Sequence, residues 1–243
     1  MSLNVKDIRV IMLDVDNTLL DFNRCAVLSA KAAGEVFGFE VPDTLFQIFK
    51  PINDALWRDL EKGVLTSAEL FDIRWQRIFE AMGLEAGLKV GGKAFEREFQ
   101  KHLETVTEPI DGALELVKYL AGKYTLSVAS NGPYNQQVGR LISAEMMPYI
   151  GVEHVFISAE VGETKPQKPF FDVCFKRLSS KLGVLEPHEV CMIGDSLSAD
   201  IIGAKEYGMQ TIWYDHDRRG KDAEGAGTAD LYVESLPEIQ HYL

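Results

Sequence analysis

The sequence predicts an α/β fold: an open parallel sheet with helices on its faces, interrupted after the first strand by an all-helical insertion. Three observations predict it. Five short apolar runs show no polar alternation, as strands buried on both faces do. Helical segments separate the later four runs, and that rhythm requires right-handed crossovers between parallel strands. Between the first and second runs, residues 21–107 show helical spacing and no convincing strand.

The first run is Ile8 to Leu13. In the segment that follows, Thr66-x-x-Glu69 is a candidate capping box. Phe71, Trp75, Ile78, Phe79 and Met82 come after it at helical spacing, and we read them as core. Gly91-Gly92 and Glu108-Pro109 are punctuation. From Asp111 onward, helices are expected at Leu114 to Ala121, Pro133 to Glu145, Pro169 to Leu182 and Ser198 to Tyr207, the last stopping at Gly208. The strands between and after them are Leu126 to Ala129, Val155 to Ile157, Val190 to Ile193 and Thr211 to Trp213. Gly220 to Asp230 is polar and glycine-rich, and reads as a surface loop. The expected division is an α/β core at 1–20 and 108–243, with a helical module at 21–107.

The chain has 243 residues, with 25 Lys and Arg against 37 Asp and Glu, a net charge of −12. At 46% apolar residues it excludes collagen-like and wholly disordered classes. The acid excess argues against a nucleic-acid or anionic-membrane partner, which needs a concentrated positive field. No apolar stretch approaches the ~20 residues that span a bilayer. Met1 to Asp7 lacks a signal-peptide layout. Cys25, Cys174 and Cys191 are odd in number and widely spaced, which suits thiols in a reducing cytoplasm.

The informative positions lie at strand ends. Leu13-Asp14-Val15-Asp16-Asn17-Thr18 places two aspartates where a buried strand runs out into a loop. Two apart in extended chain, they address one volume at the carboxyl edge of the sheet, where open α/β folds bind ligands. Acids so close repel, and a divalent cation would compensate them. Taken alone, such a segment would more often be an Asx turn and a helix cap. The second strand ends in Ser130-Asn131-Gly132. Ser130 can donate a hydroxyl, and Gly132-Pro133 opens a helix whose amides favour an anion, although a serine cap explains the same residues. After the third strand, Gly162-Glu163-Thr164-Lys165-Pro166 offers an ammonium for a phosphate oxygen, with Lys168 as a competitor. The fourth strand ends in Gly194-Asp195-Ser196-Leu197-Ser198-Ala199-Asp200. Asp195 stands at the same edge as Asp14, while Asp200 in the first helical turn has a good structural reason to be acidic. Oxygen-only ligands in this number suit Mg²⁺.

Four strand-end signals in this order, DVDNT, SNG, KP and GDSLSAD, resemble the haloacid dehalogenase (HAD) superfamily over essentially the whole chain. The resemblance implies a Rossmann-like three-layer core with a parallel sheet, plus a small α-helical cap inserted after the first strand. It implies Asp14 as nucleophile and Asp16 as general acid/base. Ser130 and Lys165 would hold the transferring phosphoryl group, with Asn131 beside them in the catalytic set. Asp14, the main-chain carbonyl of Asp16, and Asp195 would ligate Mg²⁺, with Asp200 supporting. Lys165 aligns with the family's lysine, and Lys168 falls where many relatives have proline. Family dehalogenases lack the second aspartate, because a halide leaves without a proton. Asp16 therefore favours phosphoryl transfer.

The segment Ile52 to Gly63, LLDF after the catalytic loop, KPQKPFFD and GDSLSAD are also similar to the noncanonical pyrimidine 5′-nucleotidase subfamily. That likeness implies substrate choice in the cap. Phe22, Asn53, Trp57 and Arg74 are candidates for touching a base or sugar there, with Thr18 in the catalytic loop. By type, Trp57 is more often a core residue, and Arg74 more often a solvated salt-bridge partner. Rival readings are a sugar-phosphate or broad-specificity phosphatase, a phosphomutase, and a phosphate-binding module without catalysis. Losing Asp14, Asp16, Lys165 or Asp195 would have marked the last, and all four are present.

Overall fold

The computed structural model describes residues 3–243; Met1 and Ser2, where the expected core segment begins, lie outside the described residues. The chain divides into two units. One runs up to Asp21 and again from Pro109 to Leu243; the other is Phe22–Glu108.

The first unit holds a six-stranded sheet in the order β3-β2-β1-β4-β5-β6, with every neighbouring pair parallel. Its central strand is β1, Val10–Leu13. Ile8 falls outside that strand, because its N–H closes a short 3₁₀ turn onto the Val5 carbonyl at 3.2 Å. Side chains of β1 alternate between two cores. Ile11 and Leu13 join the Leu116, Val117 and Leu120 side, and Val10 and Met12 join the Phe170, Phe171 and Cys174 side.

The helical unit consists of α1 (Phe22–Val36), α2 (Leu45–Glu61), α3 (Ser67–Met82), α4 (Glu85–Val90) and α5 (Gly92–Leu103). Thr66 and Glu69 form the expected capping box: the Thr66 hydroxyl accepts the Glu69 N–H, and the Glu69 carboxylate accepts the Thr66 N–H. Trp75, Ile78 and Phe79 are fully buried, so the aromatic stripe is core. The Trp75 indole sits 4.5 Å from the Phe95 ring and 5.0 Å from Phe99, edge to face.

Back in the first unit come α6 (Ala113–Ala121), β2 (Thr125–Ser130), α7 (Tyr134–Ser143), α8 (Met147–Ile150) and β3 (Val155–Ile157). They are followed by α9 (Ser158–Val161), α10 (Lys168–Leu182), β4 (Val190–Gly194), α11 (Gly203–Tyr207) and β5 (Gln210–Tyr214). The helix expected at Ser198 to Tyr207 begins as a π-helical segment, Leu197–Ile202, before α11; Gly208 ends it at φ 100°. A sixth strand, β6 (Leu231–Val233), follows the glycine-rich loop and pairs with β5. It is as short as β3, at the opposite edge of the sheet, but Leu231 and Tyr232 are only half-buried, whereas β3 is buried throughout. Among the described residues, no helix is long and apolar enough to cross a membrane. Cys25, Cys174 and Cys191 are buried and, among the described residues, form no disulfide.

Candidate active site

From β1 the chain builds β2 and β3 on one side, then returns to place β4 on the other. The order reverses between β1 and β4, and their carboxyl ends open the crevice where doubly wound sheets bind ligands. Asp14 is the first residue past β1 and Asp195 the first past β4. The Asp14 N–H donates to the Ile193 carbonyl at 2.9 Å, tying the two exits together. A tight turn follows, in which the Val15 carbonyl accepts the N–H groups of Leu19 and Leu20 at 2.8 and 2.9 Å. Asn17 takes the left-handed conformation at φ 59°, which asparagine tolerates better than most residues. The turn brings Thr18 back under Asp14, and its buried hydroxyl donates to Asp14 Oδ2 at 3.1 Å. Thr18 was expected to touch substrate. It lies fully buried behind the carboxylate and orients it instead.

Lys165 is 2% exposed, a desolvation that an ammonium tolerates only when paired. Its Nζ donates to Asp14 Oδ1, Asp200 Oδ1 and the Ala129 carbonyl, each at 2.7 Å. Three protons meet three acceptors, so the ammonium is satisfied and fixed. Asn131 clamps the backbone behind it. Its Oδ1 accepts the Lys165 N–H and its Nδ2 donates to the Lys165 carbonyl, both at 2.9 Å. Asn131 thus holds the lysine loop in place, with its own carbonyl accepting from Ser158 Oγ at 3.1 Å. Ser130 is buried at the end of β2, and its Oγ accepts the Gly132 N–H at 3.1 Å. Lys168, the competitor, points to solvent and pairs with Asp172 at 2.7 Å.

Asp200 does two things. Its Oδ1 accepts from Lys165, and its Oδ2 accepts the Ser196 N–H at 3.0 Å, while Ser196 Oγ caps the Ala199 N–H at 3.1 Å. Gly194 is required for this approach, because a Cβ there would collide with the Asp200 carboxylate. The main-chain carbonyl of Asp195 accepts from Trp213 Nε1 at 2.9 Å and from Arg219 at 2.8 Å.

Asp16 is held by residues that the sequence did not single out. Arg140 donates to its Oδ1 and Gln137 Nε2 to its Oδ2, each at 2.6 Å. Both come from α7, three residues apart on one face. The spacing was visible, but a helix carries many such pairs.

Carboxylate oxygens of Asp14, Asp195 and Asp200 lie within 4.8 Å of one another. Burial first, and then the neighbouring Asp200 charge, push the Asp14 carboxyl up to about 7 despite the pull of Lys165. Burial, Asp14 and Asp200 also push Asp195 well above the usual carboxylate range. Burial works to lower the Lys165 pKa, and the Asp14 and Asp200 carboxylates outweigh it, so the ammonium stays charged. The cluster holds more negative charge than one ammonium offsets. An all-oxygen donor set with that excess fits a hard divalent cation such as Mg²⁺.

Two of the residues expected to contact a base or sugar are engaged inside the helical unit. Arg74 is 1% exposed, and its guanidinium pairs with Glu96 at 2.6 and 3.1 Å and with Asn53 Oδ1 at 3.1 Å. It also lies over the Phe71 and Phe99 rings at 5.2 and 5.1 Å. Asn53 and Arg74 are therefore a buried polar core of that unit rather than free ligands. Phe22 packs its ring 6.3 Å from Phe49, and Trp57 meets Phe71 edge to face at 6.4 Å; both are only half-buried.

Residues 8–208 match the model of the haloacid dehalogenase-like hydrolases. The HAD-hydrolase YfnB of Bacillus subtilis is 29% identical over 98% of this chain and 97% of its own. Its magnesium-bound crystal structure covers 97% of this chain and 98% of its own, with a TM-score of 0.85. The pyrimidine 5′-nucleotidase PynA of Streptococcus pneumoniae is 29% identical, covering 92% of this chain and 91% of its own. The pyrimidine 5′-nucleotidase YjjG of Escherichia coli is 27% identical, covering 96% of both. A family match over residues 8–208 and a fold shared with YfnB lead to one conclusion: this protein belongs to the haloacid dehalogenase-like hydrolases.

Proposed function

We propose that the chain is a Mg²⁺-dependent phosphatase that hydrolyses pyrimidine nucleoside 5′-monophosphates through an aspartyl phosphate. The observation that carries the phosphatase reading is Lys165, buried and fixed between Asp14 and Asp200 beside the acid cluster. With its three protons on Asp14, Asp200 and the Ala129 carbonyl, the ammonium keeps a fixed positive charge beside the nucleophile, where it would offset the charge of a phosphoryl group. Full-length similarity to PynA and YjjG supports the pyrimidine substrate.

In the first step an Asp14 oxygen forms a bond to phosphorus as the ester P–O bond breaks. The departing oxygen keeps that electron pair and takes the proton of Asp16, leaving the nucleoside alcohol and an Asp16 carboxylate. In the second step Asp16 accepts a proton from water as the water oxygen bonds to phosphorus. The Asp14–phosphorus bond breaks, and inorganic phosphate and the starting enzyme result. Thr18 and Lys165 each hold one oxygen of Asp14, which limits its rotation. Asp14, Asp195 and the main-chain carbonyl of Asp16 would hold the cation, with Asp200 behind them. When bound, the cation supplies positive charge against the phosphoryl oxygens. Three buried thiols fit a reducing cytoplasm, where we place the enzyme.

The test is phosphate release from UMP, dTMP, CMP, AMP and hexose phosphates, with Mg²⁺ and with excess EDTA. UMP and dTMP are expected to lead, with turnover lost in EDTA. Hexose phosphates leading while UMP stays inert would replace the substrate, and undiminished turnover in EDTA would remove the metal. Asp14→Asn is expected to abolish turnover with every ester.

A further inference from the structure

We propose that Arg140 and Gln137 are positioning residues for Asp16, fixing its carboxyl group for the proton transfers of both steps. The inference rests on the reading of Asp16 as the general acid/base. Each of the two carboxylate oxygens has its own donor at 2.6 Å, Arg140 on Oδ1 and Gln137 Nε2 on Oδ2. One donor would neutralise the charge; two, from one face of one helix, also fix the plane of the group. The Arg140 side chain is fully buried, whereas that of Asp16 is 26% exposed. The grip therefore comes from beneath, and the carboxyl group keeps an open side for a leaving oxygen or a water.

Gly132 supplies an independent sign. A Cβ there would collide with Gln137 Nε2, so the glycine of Ser130-Asn131-Gly132 clears the space through which Gln137 reaches Asp16. The turn that carries Asn131, the clamp on the Lys165 loop, thus leads directly into the clamp on Asp16. One β2–α7 connection sets both.

The experiment separates the protonated leaving group from one that needs no proton. Single-turnover phosphoenzyme formation is followed with an alkyl phosphate from the panel above, UMP in the first instance, and with 4-nitrophenyl phosphate. Nitrophenolate departs without a proton, so formation from that ester is insensitive to the acid. Arg140→Met is expected to slow formation from UMP by at least about tenfold while 4-nitrophenyl phosphate changes by less than about threefold. Gln137→Met and Gly132→Ala are expected to give the same split, and Arg140→Lys to recover part of it. KM for UMP should move far less than kcat. If Arg140→Met does not fold, Gln137→Met decides by the same ratio. Asp16→Asn is the reference. A split there, with equal losses on both esters in the Arg140 and Gln137 variants, overturns the inference and leaves the pair as structural. No split in Asp16→Asn removes the acid assignment, and the inference with it.

Discussion

Asp14 carries the residue-scale consequence of burying a carboxyl at a sheet edge that also holds Asp200. Its carboxyl is pushed from 3.8 up to about 7, with burial the main cause. The folded chain therefore binds this proton more tightly than the unfolded chain does. Between about pH 4 and 7 the unfolded chain has released it, so the stability of the metal-free protein falls as pH rises through that window. A cation among Asp14, Asp195 and Asp200 pairs the carboxylate and removes the penalty. The gain in Tm from MgCl₂ should be small at about pH 5 and grow toward about pH 8. Thermal scans with and without the salt at both pH values check it; an equal gain at each would contradict the linkage.

At the scale of elements, short glycine contacts position the catalytic loops. Gly194 lets the Asp200 carboxylate fold back against the end of β4. Gly203, at the start of α11, packs against Pro166 beside Lys165. Gly194→Ala should displace Asp200 from Lys165 and lower kcat by up to about a hundredfold, the effect of moving a catalytic group by roughly 1 Å. Steady-state kinetics with a circular dichroism control test this. The helical unit depends on a different element contact. Arg74 of α3 and Glu96 of α5 are buried together, with Gln100 also donating to Glu96. Removing one partner of such a pair leaves an uncompensated charge. Glu96→Ala should therefore destabilise this unit by about 3–5 kcal/mol, read from urea unfolding followed by the fluorescence of Trp57 and Trp75 in a Trp213→Phe background.

For the molecule as a whole, the net charge of −12 and the proposed anionic substrate oppose each other. The general field repels a phosphate ester, and the attraction is local, from Lys165 and the bound cation. Raising KCl from about 0.02 to 0.15 M should then raise kcat/KM for UMP at fixed free Mg²⁺, because screening weakens the long-range repulsion first. A steep fall would show that the site's local positive potential governs the encounter. Stopped-time assays across the salt series decide.

The sequence by itself determined the α/β class, the helical insertion and the four strand-end motifs. Each is local: an unalternating apolar run marks a strand buried on both faces, and the residues just past it stand at the sheet edge whatever the rest of the chain does. It also marked Asp14, Asp16, Lys165, Asp195 and Asp200 as candidates. Only the tertiary structure decided what those side chains meet. The fixing of Lys165 between Asp14 and Asp200 joins residues 151 and 35 positions apart. The grip of Arg140 and Gln137 on Asp16 spans 124 and 121. Thr18 moved from substrate contact to orienting Asp14, and Asn53 and Arg74 moved from binding into a buried network with Glu96. The edge strand β6 is set by its pairing with β5, and two of its three residues are only half-buried, so it lacks the burial on both faces that marks the inner strands. Hydrophobic period is written along the chain; the partner of a polar side chain is chosen by packing.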